Sequence, residues 1–171
     1  LDPDGGDIEL LGHSLVTDKD YLYSNIGLCT QEDIYFEDLT VEQHLQYMSE
    51  IKSGMFDRLE FDDIVRKIGL GPCLNQLCKE LSGGNKRRLC IALSLIGKSK
   101  LVMLDEPTSG MDVFAKRDLW KFLKNFKDNR IIILTTHSLD EAEYLGDKIG
   151  IMSEGKYICS GTSSYLKSVY P

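Results

Sequence analysis

No apolar run in this sequence of 171 residues approaches the roughly 18 residues that a membrane span requires, and nothing in it has the form of a signal peptide. The stretch is expected to be soluble and cytosolic in character. Basic charge is scarce: 20 Lys and Arg stand against 27 Asp and Glu, for a net charge of −7. That argues against non-specific nucleic-acid binding, which needs a basic surface. It leaves nucleotide binding open, because a nucleotide is held by local groups. Cysteine pairing is missing too. Cys29, Cys73, Cys78, Cys90 and Cys159 are odd in number and contain no C-x-x-C pair, which argues for free thiols in a reducing compartment and against a zinc site. There is no internal repeat, low-complexity segment or long linker.

What is there is a pair of carboxylates. The stretch KLVMLDEPTSGMD runs from Lys100 to Asp112, with four apolar residues leading into Asp105 and Glu106 and then a turn. The apolar run reads as a buried parallel strand. Acids at the C-terminal edge of such a strand stand where open α/β sheets bind ligands. In P-loop NTPases the strand-end Asp holds Mg²⁺ against a nucleotide's phosphates. That chemistry needs a glycine loop of the form G-x-x-x-x-G-K-[ST] between a strand and a helix. Two stretches come near it. Gly150–Tyr157 has the glycines and the Lys, but Tyr157 replaces the hydroxyl residue and the segment reads as a hairpin. Ile96–Lys100 has Gly-Lys-Ser, but Ala92 occupies the first glycine position and the segment follows a helix rather than a strand. Neither is a phosphate loop.

The order of elements divides the chain. Gly5–Gly12 and Asn25–Gln31 read as strands. Thr40 and Gln43 form a capping box for a helix whose face carries Val41, Leu45, Met48 and Ile51. Phe56–Leu70 is a second helix closed by Gly71 and Pro72, and Cys73–Leu81 a short one. Ser82 caps a longer helix that buries Leu89, Leu93 and Ile96. Then come strand Leu101–Leu104, helix Val113–Phe126 with Asp112 as its cap, strand Ile131–Leu134, a short helix with Ser138 and Glu141 as a capping box, a hairpin and a last helix. The β–α–β alternation from 100 to 152 argues for a parallel sheet, and the helical stretch reads as an insertion.

Five places carry candidate chemistry. Ser82, Gly83 and Gly84 start a helix, where free N–H groups and the dipole favour a phosphate; taken alone they read equally well as an ordinary cap. Asp105 would hold Mg²⁺ and Glu106 would polarise a water, against the plainer reading of a solvated strand end. His137 ends the run IIILTTH, where it could stabilise developing charge or simply cap a helix. Gln31 also ends an apolar run, and its amide could reach Mg²⁺ or the attacking water; a loop Gln is the plain alternative. Lys86, Arg87 and Arg88 read as a solvated helix face, His13 and His44 as surface or capping residues, and Trp120, Phe122 and Phe126 as core or subunit packing. Tyr35 and Phe36, in an acidic loop, read as a docking point or as core.

Together these residues resemble the nucleotide-binding domain of ATP-binding cassette (ABC) proteins over the whole chain. Gln31 precedes Ser82 by 51 residues, Ser82 precedes Asp105 by 23, and His137 follows Glu106 by 31. LSGGN at Leu81–Asn85 resembles the ABC signature, LVMLDE the Walker B strand with its catalytic Glu, SGMD with Asp112 the D-loop, Gln31 the Q-loop residue and His137 the switch His. Asn85 stands where many members carry Gln. The tail and GGNKRRL are most like the A subfamily, whose members move lipids.

The resemblance implies an α/β fold: a P-loop NTPase-type parallel sheet, incomplete at its N-terminal side, with an inserted helical subdomain. Residues 1–39 and 98–171 would be portions of the α/β core and 40–97 the helical subdomain with the signature. It implies ATP and Mg²⁺, with Asp105 and Gln31 at the metal, Glu106 and His137 catalytic, and Ser82, Gly83, Gly84 and Asp112 at nucleotide. The partners would be a second cassette, paired head to tail around two ATPs, and a transmembrane domain at the cytoplasmic face of a membrane. The chain opens on Leu1 and is expected to be a piece of a longer one, with the phosphate loop and the adenine-stacking aromatic upstream. The piece alone would be inactive. The alternatives are a soluble non-transport ABC ATPase and a non-hydrolysing regulatory cassette. A chromosome-maintenance protein is disfavoured, since only 50 residues separate Gln31 from Ser82, too few for its long coiled coil.

Overall fold

The computed structural model describes residues 5–127 and 130–169. Strands β1 (Glu9–Leu10) and β2 (His13–Ser14) form a small hairpin, followed by helix α1 (Lys19–Asn25) and strand β3 (Ile26–Cys29). Helices α2 (Val41–Ser53), α3 (Arg58–Ile68) and α4 (Gly83–Leu95) come next. The chain then alternates: β4 (Leu101–Asp105), α5 (Val113–Phe126), β5 (Ile131–Thr135) and α6 (Leu139–Leu145). It closes with the hairpin β6 (Ile149–Ser153) and β7 (Lys156–Gly161) and helix α7 (Ser163–Val169).

The central sheet is parallel with order β3-β4-β5. Its register aligns Cys29 with Leu104 and Asp105 with Thr135, so all three strands end along one edge. Helix α4 packs close against β3: a Cβ at Gly27 would fall 1.7 Å from the Ser94 carbonyl oxygen, so only glycine fits there. Leu45, Phe61, Ile64, Leu89, Ile91 and Leu95 are fully buried between the helices. Burial of side chains of this size is worth about 1.5–3 kcal/mol each.

Local signals account for the helix ends. Thr40 and Gln43 make the capping box on α2, and Ser82 Oγ and Asp112 cap α4 and α5 as the sequence predicts. Several expectations are corrected. Gly5–Gly12 does hold a short strand, Glu9–Leu10, but the strand at His13–Ser14 and helix α1 that follow it are not among the expected elements. Helix α3 ends at Gly69, in the left-handed conformation at φ 79°, before Gly71 and Pro72 are reached. The stretch read as a short helix, Cys73–Leu81, holds only a 3₁₀ turn at Cys78–Glu80, after another at Gly71–Cys73. Glu141 does not complete a capping box: it turns inward, fully buried, and accepts a hydrogen bond from Trp120 Nε1 at 2.8 Å.

The strands also differ from the expected fully buried ones. Leu28, Met103 and Ile133 align across the sheet and are 60%, 36% and 43% exposed. Helices cover the opposite face, where Cys29, Val102 and Leu104 are buried. No described helix is long and apolar enough to cross a membrane.

Candidate functional site

The shared strand edge brings four of the sequence-predicted residues together. Gln31 follows β3, Asp105 ends β4, Glu106 leaves it, and His137 lies two residues beyond β5. Glu106 turns out of the strand at φ 48°, in the left-handed region that a non-glycine side chain rarely adopts. Its N–H donates to the Thr135 carbonyl and to Thr135 Oγ1, both at 3.2 Å. The Thr135 hydroxyl in turn donates to Asp105 Oδ1. His137 Nδ1 lies 2.9 Å from Glu106 Oε2, and the His ring is otherwise open to solvent. Gln31, two residues past the end of β3, is exposed at the same edge of the sheet.

The chemistry of this donor set suits a hard divalent cation held jointly with phosphate oxygens. Asp105 spends one oxygen on the Thr135 hydroxyl and keeps the other, while Gln31 offers a neutral amide oxygen. Mg²⁺ is commonly bound this way, through one or two protein oxygens with waters and substrate phosphates completing its shell. No cluster of three His, Cys, Asp or Glu side chains stands ready to hold a metal by itself among the described residues. An ion here would need the nucleotide.

Ser82 and Gly83 are exposed, and Gly84 half-buried, at the start of α4. Ser82 Oγ accepts from the Asn85 N–H at 3.4 Å. No hydrogen bond among the described residues joins this turn to Asp105, Glu106 or His137. The exposed N–H groups of this helix start are open to solvent, one turn before Arg87, which reaches the Asp105 and Glu106 carbonyls. Asp112 caps α5, with Oδ1 accepting from the Ala115 and Phe114 N–H groups at 3.0 and 2.9 Å.

Those two N–H groups, Ala115 first, hold the Asp112 carboxyl below its usual range. A carboxyl depressed in the folded state adds stability above its unfolded value, about pH 3.9, and loses it as pH falls through the folded one. Asp112→Asn keeps a capping side chain but lacks the charge. The variant is therefore expected to melt below wild type at pH 7 and to converge with it in acid. Melting curves across that range check this, and a gap independent of pH would contradict it.

Two sequence readings fail here. Arg87 is not on a solvated face: it is 3% exposed, and its guanidinium donates to carbonyl oxygens of Thr30, Gln31, Asp105, Glu106 and Pro107. His44 is buried as well, its ring against Phe36 and its Nδ1 3.9 Å from Cys78 Sγ; burial lowers its pKa. Phe122 and Phe126 are core, Trp120 stacks on Tyr144, and Phe36 is 55% exposed. Burial pushes the thiols of Cys29 and Cys90 up to about 11 and about 12, so both stay protonated and inert near neutral pH. Thr135 and Asp33 were also missed. Thr135 stands opposite Asp105 in the sheet register, a signal available only once β4 and β5 are paired.

A family model described as "ABC transporter" matches residues 1–109. ATP-binding cassette sub-family A member 2 of Rattus norvegicus is 39% identical over 98% of this chain and 7% of its own length. Phospholipid-transporting ATPase ABCA3 of Homo sapiens is 40% identical over 98% of this chain and 10% of its own. Retinal-specific phospholipid-transporting ATPase ABCA4 of Bos taurus is 37% identical over 99% of this chain and 8% of its own. The chain thus spans a tenth or less of these relatives. A solved structure titled "Structure of ATP binding subunit of ABC transporter" superposes with a TM-score of 0.84 over 99% of this chain and 72% of that one; at 23% identity it supports the fold alone.

Proposed function

The chain belongs to the ABC transporter family, and from that premise we propose that it is part of the ATP-binding and ATP-hydrolysing cassette of a membrane transporter that moves lipid. The observation that carries the reading is the convergence of Gln31, Asp105, Glu106 and His137 on one edge of a parallel sheet. A non-hydrolysing cassette has no use for a carboxylate braced by an imidazole at that position.

In this reading Glu106 accepts the proton of the attacking water. His137 orients the Glu106 carboxylate through Nδ1 and keeps its other ring nitrogen free for charge developing on phosphate. Asp105, oriented by Thr135, and Gln31 hold Mg²⁺. The bound ion supplies charge neutralisation on the phosphate oxygens. Ser82, Gly83 and Gly84 face outward to serve the nucleotide of a second cassette, and Asp112 sets the start of α5 beside that junction. Residues 1–39 and 98–171 act as core and 40–97 as the helical unit that moves against it, pulling on a membrane-spanning partner from its cytoplasmic side.

Lipid as cargo is supported by the relatives named as phospholipid-transporting ATPases. The test is the full-length protein in vesicles carrying a fluorescent phospholipid. Mg-ATP is expected to drive the label across the bilayer. Hydrolysis without lipid movement would overturn the cargo, and nucleotide binding without hydrolysis would favour a regulatory cassette.

A further inference from the structure

We propose that Arg87 is a positioning residue for ATP hydrolysis, its guanidinium clamping the backbone that carries Glu106 to the backbone that carries Gln31. The proposal rests on the reading of Glu106 as general base given above.

The geometry is a fan. Nε donates to the Pro107 carbonyl at 3.1 Å. Nη2 donates to the Asp105 and Glu106 carbonyls at 2.5 and 2.9 Å. Nη1 donates to the Thr30 and Gln31 carbonyls at 2.6 and 3.3 Å, and to Asp33 Oδ1 at 3.2 Å. One side chain thus ties two loops more than 70 residues apart in sequence. A buried guanidinium is costly unless every N–H finds an acceptor, and this one does, with Asp33 as its counter-charge.

The need for such a clamp lies at Glu106. Its φ of 48° is a conformation that a non-glycine residue holds only when its surroundings over-determine it. The carbonyls of Asp105, Glu106 and Pro107, before and after that bend, all turn to the same guanidinium. Without it the Asp105 and Pro107 carbonyls would lose this donor and the Glu106 carbonyl would keep only the Ser109 N–H at 3.0 Å, so the bend could relax toward an ordinary strand end. Relaxation would carry the Glu106 carboxylate away from His137. A misplacement of about 1 Å in a reacting group can cost on the order of a hundredfold in rate. Lysine cannot substitute fully: its three donors radiate from one point and cannot bridge both loops.

The experiment uses the full-length protein with Arg87→Lys and Arg87→Met. Turnover is counted per nucleotide-binding site, titrated with a non-hydrolysable ATP analogue, so that loss of folded protein does not register as loss of rate. Both variants are expected to lose at least tenfold in kcat, Met more than Lys, with KM for ATP changed less than threefold. A Lys variant within twofold of wild-type kcat overturns the proposal, as does a loss carried by KM. If Met does not fold, Lys decides alone; if neither folds, Arg87 is a folding residue and the proposal is wrong. Wild-type protein that turns over no ATP refutes the function on which the proposal stands, an outcome distinct from all of these.

Discussion

Glu106→Gln in the full-length protein is expected to lower kcat for ATP hydrolysis by about 10²- to 10⁴-fold, the usual worth of a positioned general base, while nucleotide still binds. Glutamine matches glutamate in shape, so the left-handed turn, the N–H contacts to Thr135 and the Arg87 clamp on the carbonyls all survive. What is lost is the ability to accept a proton from water. Because the carboxylate stands beside His137 and not in the phosphate cradle, the loss falls on the chemical step. The check is steady-state turnover alongside binding of a labelled ATP. A variant that hydrolyses at the wild-type rate removes Glu106 from the mechanism; one that also stops binding makes it a ligand instead of a base.

The second large effect concerns the 171 residues by themselves. They are expected to bind Mg-ATP with a Kd above about 1 mM, weaker than roughly −4 kcal/mol, and to show no hydrolysis above background. Most of the phosphate-binding N–H groups of a P-loop site come from the G-x-x-x-x-G-K-[ST] loop, and no stretch of this sequence supplies one. Gly150–Tyr157, one of its near matches, lies in the β6–β7 hairpin, with Gly155 in the tight turn at φ 73°. The same polypeptide is expected to self-associate, because Leu28, Met103 and Ile133 form an uncovered apolar row across one face of the β3-β4-β5 sheet. Titration calorimetry and light scattering read both effects. Robust turnover by this polypeptide alone would contradict the account of how phosphate is held.

Helices and their caps were largely legible in the sequence because the relevant contacts are local. Thr40 finds Gln43, Ser82 finds Asn85, and Asp112 finds Phe114 and Ala115, each within three residues. Errors gathered where tertiary partners outbid local ones. Glu141 stands at the capping-box position yet is taken by Trp120, which approaches from α5. His44 carries no local mark of burial; Phe36 and Cys78 enclose it from either side in the chain.

Arg87 is the sharpest case. A run of Lys86, Arg87 and Arg88 has the composition of a wet helix face, and the exposed first turn of α4 encourages that reading. But Leu89 to Leu95 are buried without a break, so this helix has no continuous polar side on which Arg87 could lie. Its burial is set by where the ends of β3 and β4 fall, which no periodicity along α4 encodes.

The sequence by itself determined the family, the residue types of the site and the order of elements, since motif spacing and capping are properties of a single strand of text. Tertiary structure decided which of those residues meet. The parallel register of β3, β4 and β5 sets Gln31, Glu106 and His137 along one edge of the sheet, and Arg87 becomes the bolt between two loops there. The physical reason is that strand pairing and burial are non-local: each is fixed by groups tens of residues away.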